Sequence, residues 1–317
     1  MTKLKLPQSR KGPDFVAFKT ASNPFFMKAR GKAKGTFLLV HGLSDSPYTF
    51  GPLAEDLANN GYNSVAILLT GHGADNQKNH SYTTITSEAW QADLEQGLKY
   101  TARLFPKTPI FLSGFSTGGA VSVLFLLTHK LKESILPGPK QDPNFPLKGL
   151  VLFDPALGLD SARETVIKNR WLLHRIAPPA NNSGPEDASK TVGNNPARIT
   201  FATGDLSLAL GTTIWKIDQS KANLKIPALT FFTSGAGDTP GEAEVISVRR
   251  SKDKLEKIFT GERKVSGNFV GQIHTQLLNR EELGACGPRI KLPGHYKNAR
   301  FPDLVKEVVQ FADKNLP

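Results

Sequence analysis

The chain has 317 residues, 39% apolar and 21% charged, with a formal net charge of +12. This is globular composition, sufficient for one large domain or two small ones. It excludes a membrane span, which needs ~20 consecutive apolar residues, and its single cysteine, Cys286, excludes an intramolecular disulfide and a cysteine-based zinc site.

The N-terminal stretch "MTKLKLPQSRKGPDF" is basic and lacks the apolar core of a signal peptide, which reads as a cytoplasmic protein. "FVAFKT" and "PFFMKAR" then read as an antiparallel hairpin. "TFLLV" (36–40) is a buried strand running into "HGLSDSP". The next segment, "PYTFGPLAEDLANNGY", has helical spacing, with Ser46 as its N-cap and Gly61 past its end. "SVAILL" is a strand ending in "TGHGAD". "TSEAWQADLEQGLKYTARLF" is an amphipathic helix with Trp90, Leu94, Leu98 and Ala102 on one face. "PIFLS" is a strand, and "TGGAVSVLFLLTHKL" is apolar all round and therefore a buried helix. "KGLVLFD" and "IPALTFFTS" are further buried strands, and "EAEVISVRRSKDKLEKIF" and "FPDLVKEVVQFADKN" are helices.

This alternation predicts an α/β fold, a mostly parallel sheet with helices on both faces, in a single domain spanning 1–317. Residues 155–226 break the rhythm with "APPANNSGPEDASKTVGNNP" and read as a cap or lid insertion above the sheet. Its Trp171, Leu172, Phe201, Leu206, Leu208, Leu210 and Trp215 either line an acyl pocket or form the cap's own core.

Ligands of open parallel sheets bind at the carboxyl ends of strands. Ser116, His41, Leu43 and Asp238 all follow strands there. Gly114-Phe115-Ser116-Thr117-Gly118 fits G-x-S-x-G. A serine raised on a sharp strand-to-helix turn has a strained backbone, and its neighbours two positions away must be small. The turn also sets Ser116 at a helix N-terminus, where N–H groups favour negative charge. The alternative is a glycine turn with an idle serine. For acyl transfer, the backbone N–H groups of Thr117 and Leu43 are the candidate oxyanion donors. His41 reads as a histidine that holds the turn.

The stretches "FLLVHGLSDSPYTFGPLAEDLANNGYNSVAILLTGHG", "EAWQADLEQGL" and "IFLSGFSTGGAVSVLF" resemble the α/β-hydrolase family, above all its monoacylglycerol lipase and small carboxylesterase branch. The resemblance covers most of residues 36–126 and thins beyond about residue 155. It implies an eight-stranded sheet and a catalytic triad in the chain order serine, acid, histidine. The acid it implies is Asp238, in the loop after "PALTFF", with Asp154 as the alternative after an earlier strand. The histidine it implies is His274, following a strand-like stretch, with His295 before the last helix as the alternative. His72 of "GHG" takes a structural role, and His80, His129 and His174 lack a catalytic context. The implied activity is that of a serine esterase, carboxylesterase- or lipase-like, cleaving a carboxylic ester with an apolar acyl group. Thioesterase, peptidase or lysophospholipase chemistry on the same triad, or a non-catalytic binding role, stay open.

No ligand spacing among the acids and histidines suggests a metal, and no cofactor is expected. The +12 charge lies mainly near the chain ends and suits anionic partners, so an anionic membrane surface is a candidate partner besides a small-molecule or lipid ester. A solvated basic face is the simpler and preferred reading of the charge. No motif points to nucleic acid.

Overall fold

The computed structural model describes residues 24–43, 46–72, 85–128, 147–158, 203–221, 224–234, 248–260, 262–270 and 301–316. Their strands form one seven-stranded sheet, β1 (Phe25–Met27), β2 (Gly35–Val40), β3 (Tyr62–Ile67), β4 (Ile110–Phe115), β5 (Leu147–Phe153), β6 (Ala228–Ser234) and β7 (Arg263–Val270). The order across the sheet is β1-β3-β2-β4-β5-β6-β7. All neighbours are parallel except β1, which pairs antiparallel with β3, Phe26 opposite Val65. β1 lies in the expected second arm of the hairpin and is the expected antiparallel edge; the expected first arm, "FVAFKT", lies outside the described residues, and seven strands are described where the resemblance implies eight.

The continuous apolar strands have a simple cause. β2 and β4 are buried along their whole length, because helices cover both faces. On one face, α2 (Ser87–Leu104), α3 (Thr117–Thr128) and α4 (Thr203–Gln219) enclose a core that includes Leu38, Val40, Trp90, Leu94, Leu124, Phe125, Ala209 and Ile214. On the other, α1 (Gly51–Asn59) and α6 (Phe301–Lys314) enclose Phe37, Leu39, Leu53, Phe111, Phe153 and Val308. The helix α5 (Val248–Ile258) precedes β7 and adds Leu255 to the first core. Each fully buried Leu or Phe contributes about 1.5–3 kcal/mol.

The helices follow their sequence signals with two differences. In α2 the predicted stripe is buried, and Thr86 caps the helix by accepting the Ala89 N–H. In α3 every residue from Thr117 to Leu127 is buried. Gly61 follows α1 at φ 86°, as a helix-terminating glycine should. Ser46, however, does not cap α1. Its carbonyl receives the Thr49 N–H in a one-turn 3-10 segment (Pro47–Phe50), and α1 starts only after Phe50, with proline in its first turn. Tyr62 directly after Gly61 already belongs to β3, so that strand starts earlier than its apolar run suggests.

Two long-range ties close the fold. Tyr62 Oη donates to Asp313 Oδ1 at 2.7 Å, and Lys34 Nζ reaches the same oxygen at 3.0 Å, joining α6 to the β2 and β3 entrances. Thr213 of α4 donates to Ser87 of α2 at 2.9 Å, beside a Lys216–Glu88 ion pair. Within the segment read as a cap, α4 thus packs its Ala209, Leu210, Ile214 and Ile217 into the sheet's own core.

Candidate active site

The strand order reverses between β2 and β4. The chain leaves β2 for β3 on one side, then returns to β4 on the other. α1, which follows β2, lies on one face, and α3, which follows β4, on the opposite face. In open α/β folds a reversal of this kind puts the usual ligand position at the carboxyl ends of these two strands. Ser116 and the His41–Leu43 loop stand at those two strand ends.

Ser116 stands between β4 and α3 at φ 51°. Only it and Asp154 have positive φ among the described non-glycine residues. Such a backbone costs on the order of 1–2 kcal/mol and persists only where its surroundings hold it. Here the Ser116 N–H donates to the Phe153 carbonyl at 2.9 Å, and the Ser116 carbonyl receives the N–H groups of Ala156 at 2.9 Å and Ala120 at 3.2 Å. Ser116 is partly exposed amid buried neighbours.

The flanking glycines are required by contact. A Cβ on Gly114 would lie 2.5 Å from the Gly118 carbonyl oxygen, and one on Gly118 would lie 2.1 Å from that of Val40. The turn is thus pressed against its own helix and against β2, which explains both glycines of the motif. From the neighbouring strand end, a Cβ on Gly42 would meet Phe115 Cδ1 at 2.9 Å and Ser116 Cβ at 3.3 Å. The peptide backbone next to Leu43 therefore lies directly against the serine.

His41 is fully buried and its protonation pattern follows from its partners. Nε2 receives the Leu69 N–H at 3.0 Å, so the ring proton is on Nδ1. Nδ1 then donates to the Gly42 carbonyl at 2.8 Å. In a trans peptide the C=O and N–H point in opposite directions. With the Gly42 carbonyl turned to the imidazole, the Leu43 N–H is directed away from it. His41 holds the turn, as its sequence context suggests. His72, likewise buried, donates from Nδ1 to the Leu69 carbonyl at 3.3 Å and packs edge-on against His41, with ring centroids 4.7 Å apart.

Three supporting residues were given no polar role by the sequence, although Trp90 and Asp93 lie in "EAWQADLEQGL". Asp93 of α2 accepts from the Thr70 N–H at 2.6 Å and from its hydroxyl at 3.1 Å. Burial pushes its carboxyl up to about 6, against the lowering effect of the two Thr70 hydrogen bonds. Trp90 donates from Nε1 to the Thr70 carbonyl at 2.9 Å. Ser251 of α5, fully buried, accepts the Gly158 N–H at 3.1 Å and donates to the Pro155 carbonyl at 3.3 Å, tying down the turn that receives Ser116. The one available signal was a carboxylate three residues after Trp90, beside the buried stripe of an amphipathic helix.

Thr117, the other expected oxyanion donor, opens α3 and is buried. Asp154 lies in the turn after β5 at φ 40°, its N–H bonded to the Phe231 carbonyl at 2.9 Å. Asp238, His274 and His295 lie outside the described residues. Asp238 was placed after β6 and His274 after β7, and these strands follow β5 in the parallel sheet, β6 beside β5 and β7 beside β6. Of the residues offered for an acyl pocket, Leu210 is in the sheet's core and Trp215 is 58% exposed. Trp171, Leu172 and Phe201 lie outside the described residues, as do the side chains of Leu206 and Leu208. Among the described residues, no group of three or more His, Cys, Asp or Glu is arranged to hold a metal, and no helix is long and apolar enough to cross a membrane.

A family model described as serine aminopeptidase, S33 (Hydrolase_4) matches residues 31–231. The thermostable monoacylglycerol lipase of Bacillus sp. (strain H-257) is 34% identical over 92 residues, 29% of this chain and 34% of that protein. The match thus spans about a third of the length of that curated relative. Among solved structures, a soluble variant of monoglyceride lipase from Saccharomyces cerevisiae aligns with a TM-score of 0.62 at 13% identity, over 100% of this chain and 98% of that one. A carboxyl esterase from Bacillus coagulans aligns with a TM-score of 0.60 at 12% identity, over 96% and 98%. At such identities these two likenesses speak for the fold.

Proposed function

The chain belongs to the Hydrolase_4 family, described as serine aminopeptidase, S33, and has the α/β-hydrolase fold, and on that footing we propose that it is a serine ester hydrolase acting through an acyl-enzyme on Ser116. The observation that carries this reading is the serine itself. It is held at φ 51° at the start of a buried helix, with the backbone of Gly42 packed against its side chain. A turn of this kind is costly and presents one hydroxyl at the strand end.

In the proposed reaction, His274 removes the Ser116 hydroxyl proton as Oγ attacks the ester carbonyl. The Leu43 and Thr117 N–H groups receive the resulting oxyanion. Collapse expels the alcohol, which takes the proton from the histidine, and water repeats the sequence to release the acid. Asp238 orients the imidazole and stabilises its protonated form. His295 is the alternative base and Asp154 the alternative acid. The substrate class is a carboxylic ester with an apolar acyl group. Monoacylglycerols fit, since monoacylglycerol and monoglyceride lipases recur among the similar proteins. The +12 charge suits a substrate presented at an anionic surface. The family's description favours one second reading, peptide-bond cleavage by the same serine.

Labelling with a fluorophosphonate probe tests the reading. Wild type should label and Ser116→Ala should not; equal labelling of the two overturns it. Turnover of a nitrophenyl ester series against an aminoacyl-amide series separates esterase from peptidase. The His274→Ala and His295→Ala variants identify the base. If only His295→Ala abolishes turnover, the base is His295.

A further inference from the structure

Asp93 has no contact with the proposed reacting atoms, yet α2 spends a buried carboxylate on one residue of a neighbouring loop. Thr70 is held at every polar group. Its N–H and hydroxyl go to Asp93 at 2.6 and 3.1 Å, and its carbonyl receives the Trp90 indole N–H at 2.9 Å. Trp90 and Asp93 are three residues apart, hence on one helix face. The carboxyl raised by burial shows that this clamp carries a desolvation cost.

The residue before Thr70 is Leu69, whose N–H donates to His41 Nε2. That bond decides the His41 tautomer. Were the ring proton on Nε2, two donors would face each other there. At the other nitrogen an unprotonated Nδ1 would face the Gly42 carbonyl oxygen at 2.8 Å, acceptor against acceptor. The Gly42–Leu43 peptide would then have no reason to keep its direction. Fixing Leu69 therefore fixes His41, and fixing His41 aims the Leu43 N–H. A covalent or hydrogen-bonded link joins each step from Asp93 to Leu43.

We infer that Asp93 is a positioning residue for the oxyanion site, acting through Thr70, Leu69 and His41 on the Gly42–Leu43 peptide. This rests on the ester-hydrolase reading of Ser116 and adds the element that keeps one oxyanion donor aimed. Loss of a complete oxyanion donor lowers kcat about 10²–10³-fold, and a misaimed one loses part of that, about 10–10²-fold.

The test uses the full chain and a short-chain nitrophenyl ester, with wild type, Ser116→Ala, Asp93→Ala and Asp93→Asn. A trifluoromethyl ketone, which forms an oxyanion when serine adds to it, reports on the donor site directly. In Asp93→Ala, kcat should fall about 10–10²-fold with KM within twofold, and the ketone should bind weaker in proportion. Asp93→Asn, whose amide oxygen still accepts the Thr70 N–H, should recover most of both. A folded Asp93→Ala with kcat within twofold of wild type, or a loss carried by KM with unchanged ketone affinity, overturns the inference. If Asp93→Ala does not fold, Trp90→Phe decides, because it removes the other tether on Thr70. Its kcat should drop several-fold at constant KM, and an unchanged kcat overturns the inference. Absence of Ser116-dependent turnover in wild type overturns the ester-hydrolase reading itself and this inference with it. Ser116-dependent wild type with an unaffected Asp93→Ala overturns this inference alone.

Discussion

Gly118→Ala is the most direct perturbation of the serine turn. The added Cβ would lie 2.1 Å from the Val40 carbonyl oxygen and 2.6 Å from that of His41. A carbon–oxygen contact needs about 3.3 Å, so α3 and β2 would have to part by about 1 Å. Every crowded atom is backbone of a fully buried strand or the loop it enters, so no side chain can swing aside. Overpacking of this kind costs about 1–3 kcal/mol or more, and the lack of a flexible neighbour puts it at the upper end. For a domain of this size, about 3 kcal/mol lowers Tm by roughly 6–12 °C. A displacement of about 1 Å at the serine should slow its reaction about 10²-fold. Gly31→Ala is the control: unlike Gly118 it has positive φ, 89°, but nothing lies within 4 Å of an added Cβ. It should lose about 1 kcal/mol to backbone strain and label at the wild-type rate. Thermal unfolding and the rate of fluorophosphonate labelling read both quantities. A Gly118→Ala protein within about 1 °C of wild type in Tm and labelling at the wild-type rate would refute the close-approach account of the motif.

Three further outcomes are expected. Ser251→Ala orphans the buried Gly158 N–H and should cost about 1–3 kcal/mol in denaturant unfolding, with slower Ser116 labelling because the adjoining turn loosens. Tyr62→Phe removes one hydrogen bond to an Asp313 that keeps Lys34, and should cost about 1 kcal/mol with turnover unchanged, since Tyr62 lies at the far end of the sheet. Asp93 gives a pH signature through its burial, which outweighs the lowering effect of the Thr70 amide and hydroxyl that face it: its folded carboxyl is raised to about 6 from 3.8, so the folded state holds the proton longer. Its contribution is fully present below about pH 4 and lost as pH rises through about 6, on the order of 3 kcal/mol at most. Relative to Asp93→Asn, wild type should therefore lose stability between pH 4 and 7 in parallel urea titrations; a constant difference would refute the burial account.

Much of the architecture was legible because it depends on local pattern. The continuous apolar runs of β2, β4 and β5 report burial on both faces, and the apolar α3 reports a helix with no solvent side. The helix-period stripe of α2 named its buried residues correctly. Where packing overrode pattern, the reading slipped. Ser46 looked like an N-cap, but a 3-10 turn intervenes and α1 begins without a side-chain cap. Leu210, read as either pocket lining or the cap's own core, lies in the sheet's core because α4 packs on α2 and α3, an arrangement its own spacing cannot reveal.

The sequence by itself determined which serine stands at the turn and that its neighbours must be small, since Cβ bulk is a property of single residues. It also identified the loop after β2 as the partner loop and His41 as its holder. Only the tertiary structure decided the rest of the support. Thr70 with Asp93, Leu69 with His41, and Ser251 with Gly158 join segments 23, 28 and 93 residues apart. Their hydrogen bonds exist only once the sheet has brought its strand ends together. Nothing in a residue's neighbours along the chain encodes where such a partner will be.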